Sequence, residues 1–126
     1  MDLVRGKYSI NVTNDIIMIS LAGSFNQQEA KVLTNHIRTT ISTFQGKPFS
    51  ILVVDTGLTG NTPDAYSEIN EYNKWLNTQN MTAKALVTIP SVVTKINDSA
   101  IPAKAQQNLS VFDNVPDALA WLKSQS

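Results

Sequence analysis

The sequence predicts a single α/β domain, spanning residues 1–126, in which helices pack on a central mixed sheet of about five strands. Three observations predict this class. Short apolar segments with strand character alternate with amphipathic helical segments, no linker or internal repeat divides the chain, and 126 residues are the length of one domain. With 42% hydrophobic and 16% charged residues, the chain is too polar for a membrane protein and too apolar for a disordered one.

The charge balance excludes several classes of partner. Ten basic residues balance ten acidic ones, so no net field attracts the protein to nucleic acid or to an anionic membrane. The longest apolar stretch, 16–22, is far shorter than the ~20 residues that cross a bilayer. The first residues lack the apolar region of a secretory signal. We therefore expect a soluble, cytoplasmic protein with no nucleic-acid partner and no membrane insertion.

The N-terminal part predicts a hairpin followed by a helix. Residues 7–12 alternate between apolar and polar side chains, and 16–21 are mostly apolar, so the two segments predict paired strands, the first at a sheet edge. Residues 22–24 break this pattern. Asn26 and Glu29 have the spacing of a capping box, and a helix is predicted to run from there towards a C-terminal cap at Gly46. Its apolar stripe comprises Ala30, Leu33, Ile37, Ile41 and Phe44.

The central part predicts a buried strand and a second helix. Residues 49–54 are almost continuously apolar, which is typical of a strand covered on both faces. Thr62 and Pro63 begin the helix, because threonine is a favourable N-cap and proline fits the first helical position. The inward face of this helix is predicted to carry Ala65, Ile69, Tyr72 and Leu76, with Trp75 on the flank.

The C-terminal part completes the order β-β-α-β-α-β-(α)-β-α. Residues 83–89 predict a second central strand and 91–98 a short helix. Residues 109–112 predict an edge strand. Asn114 begins a last helix, whose inward residues are Val115, Ala118, Leu119 and Leu122.

This order and several local patterns resemble the SpoIIAA-like branch of the STAS superfamily, the sulfate transporter and anti-sigma-factor antagonist domains. The patterns are the strand end at 21–23, the buried strand at 52–55, and Val-Phe-Asp at 111–113 before an Ala-x-x-Trp-Leu helix at 118–122. The resemblance covers nearly the whole chain. It implies a STAS-like fold and suggests a regulatory role, although one fold can serve several functions.

The resemblance also points to a regulatory serine that this chain lacks. In anti-sigma-factor antagonists, a kinase phosphorylates a serine in an Asp-Ser-Ser-Gly motif at the start of the helix after the central strand, and the added charge abolishes docking. The matching stretch here is 63–66, where Asp64 stands roughly at the place of that serine. The phosphorylation switch therefore does not carry over to this chain.

Residues 55–64 are the main candidate for a binding site. Ligands collect at the carboxyl ends of central strands beside helix N-termini, where unpaired N–H groups favour anions. The same residue types also form ordinary turns, Asp64 would repel an anion, and the segment lacks the Gly-Lys-Ser/Thr ending of a P-loop. We predict a loop that contacts a partner or ligand through Asp55, Thr56, Gly57, Thr59, Thr62, Asp64, Tyr66 and Ser67.

The sequence predicts no catalytic residue, no metal site and no cofactor. It has no cysteine and a single histidine, His36, which lies beside the apolar stripe of the first helix. Asp55 follows a buried strand, where an aspartate can act as a general base but more often accepts hydrogen bonds from the next turn.

Two functions are therefore predicted ahead of an enzyme. The first is a non-enzymatic regulatory or binding module that docks a protein partner through the loop and helix start at 55–67. The second is a carrier or sensor of a small apolar or amphipathic ligand held between the helices and the sheet. Residues 99–107 would form either a flap or a packed connection. Self-association through the edge strand is a further option, without a defined stoichiometry.

Overall fold

Five strands and three α-helices form the part of the chain that the computed structural model describes, residues 6–88 and 101–125. In chain order they are β1 (Lys7–Thr13), β2 (Ile16–Phe25), α1 (Gln27–Ser42), β3 (Phe49–Asn61), α2 (Pro63–Leu76), β4 (Met81–Val87), a 3₁₀ helix (Pro102–Gln106), β5 (Leu109–Phe112) and α3 (Val115–Gln125).

The sheet has the order β1-β2-β3-β4-β5 and is mixed. β1 pairs with β2 in antiparallel register, and β2 to β5 are mutually parallel. The hairpin turn uses Asn14 at φ 55°, a left-handed conformation that asparagine tolerates better than most residues. The predicted α/β class, the five-stranded mixed sheet and the edge position of the first strand are confirmed.

One face of the sheet is covered by α1 and α2. The capping box at Asn26 and Glu29 is present, with the Glu29 backbone N–H donating to the asparagine side chain over 2.8 Å. α1 ends at Ser42 rather than continuing towards Gly46: Thr43 is its C-cap, and Gln45 and Gly46 follow with φ of 52° and 82°. The main core cluster lies here and includes Ile17, Ile19, Phe25, Ala30, Leu33, Ile37, Ile41, Phe49, Ile51, Ala65, Tyr72 and Leu76.

The opposite face is covered by α3. The Asn114 side chain caps this helix by accepting from the Asp117 backbone N–H over 2.9 Å. Its inward residues Ala118 and Leu122 are buried, as the sequence predicted. They pack in a second cluster with Ile16, Leu52, Ala83, Ala85 and Val87.

Two predicted boundaries are wrong in a way that changes the candidate site. β2 continues to Phe25, and β3 continues through the predicted loop to Asn61. The two extensions pair with each other, for example Ala22 with Gly57, across register shifts that absorb the irregular sequence. The glycine- and threonine-rich segment was interpreted as a turn because its composition is typical of one, but pairing with β2 overrides that preference.

The predicted helix at 91–98 lies outside the described residues, as does the first part of the 99–107 segment. The described part of that segment, from Ile101, is a packed connection. The Asn77 side-chain N–H donates to the Ala103 carbonyl over 3.0 Å, and the Ala103 backbone N–H donates to the Asn70 side chain over 3.1 Å. These two contacts hold the 3₁₀ helix against α2.

Candidate functional site

The predicted site residues divide into a buried group and an exposed group. Asp55 is only 8% exposed and Tyr66 is half-buried. The remaining six lie at the surface along the end of β3 and the first two turns of α2. We call this the β3–α2 surface; it comprises Thr56, Gly57, Thr59, Thr62, Asp64 and Ser67.

Several residues of the β3–α2 surface have structural tasks. Thr62 is the N-cap of α2, and its side chain accepts from the Ala65 backbone N–H over 3.2 Å. The Thr59 and Ser24 hydroxyls are hydrogen bonded over 2.8 Å, which joins the ends of β2 and β3. A Cβ at Gly57 would lie 3.1 Å from the Ala22 Cβ, so this glycine permits close strand approach.

Asp55 faces a cavity between the sheet and the helices α1 and α2. Burial raises the pKa of its carboxyl, and this effect is partly opposed by a hydrogen bond from Thr88 and by the nearby charge of Lys104. The Oδ1 atom is buried without a hydrogen-bond partner among the described residues. Leaving this buried acceptor unpaired costs free energy. That cost favours either protonation of the carboxyl or a hydrogen-bond donor that is not among the described residues.

The cavity has a volume of about 90 Å³. Most of its wall is apolar, with side chains from β2, β3, α1 and α2 that also belong to the main core. Apolar wall residues include Ile19, Leu21, Phe25, Leu33, Ile37, Val53, Leu58, Ile69, Leu86, Ile101 and Leu109. A polar side is formed by Asp55, Asn73, Lys84 and Lys104. The space is therefore amphipathic.

Lys84 is the most unusual residue of this wall. It lies in β4 and is only 6% exposed. Its ammonium donates to the Asn73 Oδ1 over 3.0 Å and to the Gln107 Oε1 over 3.4 Å. Burial, assisted by the charge of Lys104, lowers the pKa of Lys84 to about 7. The amine thus titrates near neutral pH, unlike an ordinary lysine.

The Gln107 amide completes this network by donating to the Asn73 Oδ1 over 2.9 Å. Asn73 is also fixed by its own amide, which donates to the Ile69 carbonyl over 2.8 Å. α2, β4 and the segment before β5 therefore converge on one polar cluster, which we call the Lys84 cluster (Lys84, Asn73 and Gln107).

Sequence reasoning missed the Lys84 cluster. The available signal was a single lysine inside the otherwise apolar run 83–89. A charged residue within a strand predicted to be buried on both faces is expensive unless it has partners. That mismatch could have marked Lys84 as a candidate, but Asn73 and Gln107 are distant in sequence and carry no comparable signal.

His36, which the sequence placed beside the apolar stripe, is exposed on α1. Its Nδ1 lies 3.1 Å from the Tyr8 hydroxyl, and the two rings meet edge to face. His36 therefore joins α1 to β1 through its contact with Tyr8. Among residues 6–88 and 101–125, no three His, Asp or Glu side chains gather closely enough to bind a metal ion.

Solved structures share this architecture. An uncharacterised protein of the DUF3478 family with a SpoIIAA-like fold, from Shewanella loihica, matches at a TM-score of 0.67 with 14% identity over 97% of each chain. An anti-sigma factor antagonist from Mycobacterium paratuberculosis matches at 0.66 with 10% identity over 94% of each chain. The anti-sigma factor antagonist SpoIIAA in its unphosphorylated form matches at 0.67 with 14% identity, over 94% of this chain and 97% of that one.

These matches show the fold. The chain is an α/β protein with the SpoIIAA-like architecture, as the sequence resemblance implied. No protein-family model and no curated protein sequence matches it. None of the helices in the described ranges is long and apolar enough to cross a membrane.

Proposed function

We propose that this chain is a non-enzymatic regulatory module that docks a protein partner through the β3–α2 surface. The observation that carries the proposal is the exposure of the six residues of this surface at one end of the sheet. Six of the eight residues singled out from the sequence lie on it. The shared architecture with two anti-sigma factor antagonists supports a regulatory role.

The geometry of the surface favours a protein over a small anion. Within the described residues, β3 beyond Val54 pairs with β2 alone. No basic residue occurs between Asp55 and Ser67, and Asp64 is exposed at the start of α2. A partner segment with a cationic side chain opposite Asp64 would complement this surface.

The proposed docking dispenses with phosphorylation at this place. Asp64 places an acidic side chain where the resemblance would position the regulatory serine. A partner must therefore accept that charge in its bound state. The switching signal, in this proposal, comes from elsewhere in the molecule.

The test is affinity capture from a native extract with identification by mass spectrometry. We expect one protein to be retained by the wild type and lost with Asp64→Lys. The matched control is Asp117→Lys, which reverses the equivalent first-turn acid of α3 on the opposite face. Equal retention of that protein by both variants would contradict docking at the β3–α2 surface.

A second function, carriage or sensing of a small amphipathic molecule, is favoured by the cavity. A solid core would have excluded it, whereas the structure has about 90 Å³ of amphipathic space between the sheet and the helices. The neighbouring residues Val53 and Val54 provide a matched pair, because Val53 lines the cavity and Val54 packs on the α3 side.

We expect Val53→Phe to fill the space and abolish the thermal stabilisation given by small apolar alcohols. Val54→Phe should preserve that stabilisation even if the protein is less stable. Differential scanning fluorimetry with a series of alcohols measures both. Absence of any shift in the wild type would remove this second function without affecting the first.

A further inference from the structure

Lys84 occupies a position in the core where the fold alone favours an apolar residue. It lies in the middle of β4, and its side chain lines the cavity rather than reaching water. Lysines are almost never fully buried unless they are paired, since removing an ammonium from water costs several kcal/mol. An uncharged amine avoids most of this cost, so the site favours the form of lysine that acts as a nucleophile.

The hydrogen-bond partners of Lys84 also match a neutral amine. An ammonium has three N–H donors, whereas a neutral amine has two and a lone pair. The structure supplies two acceptors, the amide oxygens of Asn73 at 3.0 Å and Gln107 at 3.4 Å. Both acceptors are uncharged, and the ion pairs formed by the described residues do not include Lys84. When both N–H groups are donated, the lone pair of the Lys84 amine remains for another bond.

The space beside this amine limits the size of a ligand. An apolar cavity of ~150 Å³ accommodates benzene, which has six non-hydrogen atoms. In proportion, the cavity of about 90 Å³ holds roughly three or four such atoms. Its wall is mainly apolar and includes Ile37, Val53 and Leu86. A short aliphatic compound with one polar group fits these limits.

We propose that Lys84 binds an aliphatic aldehyde of two or three carbons in this cavity, as a reversible Schiff base. Lysines in apolar surroundings form Schiff bases with carbonyl compounds, because the uncharged amine is the attacking group. This inference rests on the second function proposed above and names its ligand class. Propanal, with four non-hydrogen atoms, is a suitable probe.

The chemical step needs no further reactant. The lone pair of the Lys84 Nζ bonds to the carbonyl carbon as the C=O π bond breaks, and a proton moves from nitrogen to oxygen to give a carbinolamine. Loss of the hydroxyl group and the remaining N–H proton as water then forms the C=N bond. Because the oxygen leaves, only the carbon chain stays in the cavity. After protonation, the Schiff base has one N–H, which can donate to the Asn73 Oδ1.

The pH dependence of this reaction distinguishes Lys84 from an exposed lysine. Its pKa is about 7, so roughly half of the amine is neutral at pH 7, whereas an ordinary lysine is almost wholly charged there. Among the described residues, the other ionisable groups on the cavity wall are Asp55, Lys104 and Tyr72, while α1 and β5 contribute none. Burial raises the pKa of both Asp55 and Tyr72, and Tyr72 stays neutral at the pH values used below.

The experiment is reaction of the wild type with propanal and cyanoborohydride, which donates hydride to the Schiff base and leaves a stable N-propyl lysine. Peptide mapping by mass spectrometry measures the rate at Lys84, with Nα-acetyl-lysine in the same tube as the standard. At pH 7, we expect Lys84 to react at least tenfold faster than the standard. This ratio should fall at least tenfold from pH 6 to pH 8.5, because the neutral fraction of the standard rises more steeply than that of Lys84.

Two comparisons assign the reaction to the cavity. Benzaldehyde, with eight non-hydrogen atoms, exceeds the space, so it should modify Lys84 no faster than the standard. Val53→Phe should slow the reaction of Lys84 with propanal at least tenfold, whereas Val54→Phe, on the α3 side, should change it by less than twofold. Circular dichroism checks that both variants fold. The benzaldehyde comparison uses the wild type and therefore remains decisive if a variant does not fold.

The outcomes separate this inference from the function on which it rests. If small alcohols stabilise the wild type but propanal modifies Lys84 no faster than the standard, the cavity carries non-covalent ligands and the aldehyde assignment is overturned. If benzaldehyde and propanal modify Lys84 equally fast relative to the standard, the reaction takes place outside the cavity and the proposal is refuted. If alcohols give no shift and Lys84 does not react, both proposals fail.

Discussion

The two faces of one sheet are built in different ways. On the α3 face, small and branched apolar residues pack directly against the helix, and alanines at 83, 85 and 118 bring helix and strands close together. On the α1/α2 face, larger side chains surround a cavity, and the described residues that are both buried and ionisable, Asp55, Tyr72 and Lys84, all lie there.

This difference indicates which face of the sheet carries a functional site. Close packing without buried charge is what stability alone favours. A cavity and a buried lysine lower stability, so they mark the face where another requirement competes with it. The α3 face acts as scaffold, and the α1/α2 face carries the proposed ligand site.

The largest expected effect comes from the α3 face. Leu122 is 1% exposed, and Leu122→Ala should lower the free energy of unfolding by about 2–5 kcal/mol, because its removal leaves a void in a closely packed layer. Urea denaturation measures this loss. Val111→Ala, at a position 59% exposed, should change stability by less than about 0.5 kcal/mol. A cost below about 1 kcal/mol for Leu122→Ala would show that this face is loosely packed after all.

A smaller effect should separate the faces by pH. The pKa of Lys84 is about 7 in the folded chain and near the ordinary lysine value of 10.5 in the unfolded one, so the unfolded chain binds more protons between these values. The folded chain therefore gains stability relative to the unfolded chain as the pH rises from 7 to 10.5. This gain is complete above pH 10.5 and is lost as the pH falls through 7.

Lys84→Met removes this dependence. The free energy of unfolding of the wild type, relative to that of the variant, should therefore rise by about 2 kcal/mol from pH 7 to pH 9. Urea titrations of both proteins at several pH values measure it. A constant difference across this range would mean that the amine is hydrated and titrates normally.

The smallest effect compares two helix caps. Thr62→Ala and Asn114→Ala should each cost about 1 kcal/mol, because each removes a side-chain acceptor for a backbone N–H in the first turn. Thermal unfolding measures both. Only Thr62→Ala should also weaken partner docking, since Thr62 lies on the β3–α2 surface. If both variants lose docking equally, the loss results from their lower stability and not from a contact made by Thr62.

Much of the fold could be predicted from sequence because its signals are local. The capping box at Asn26 and Glu29, the threonine–proline start of α2 and the apolar periodicity of each helix depend on residues close together in the chain. The length of β3 could not be predicted in this way. Its last seven residues have turn composition, and only pairing with β2, about 35 positions earlier, makes them a strand.

The candidate site was less predictable for a related reason. The sequence predicted a site at the carboxyl end of a central strand. In an open α/β sheet, ligands usually bind there, at the point where the strand order reverses. Here the order β1-β2-β3-β4-β5 contains no reversal. The cavity instead lies between layers, and its polar cluster combines residues 73, 84 and 107, whose proximity no single segment reveals.

The same consecutive strand order has a consequence for how the chain assembles. Every strand pairs with its neighbour in sequence, and β1 and β2 are joined by a turn of two residues. The hairpin can therefore form first and serve as a template to which each later strand adds through a single crossover connection. Growth in one direction requires no strand to insert between two that are already paired, so a chain emerging from the ribosome can add each strand as it appears.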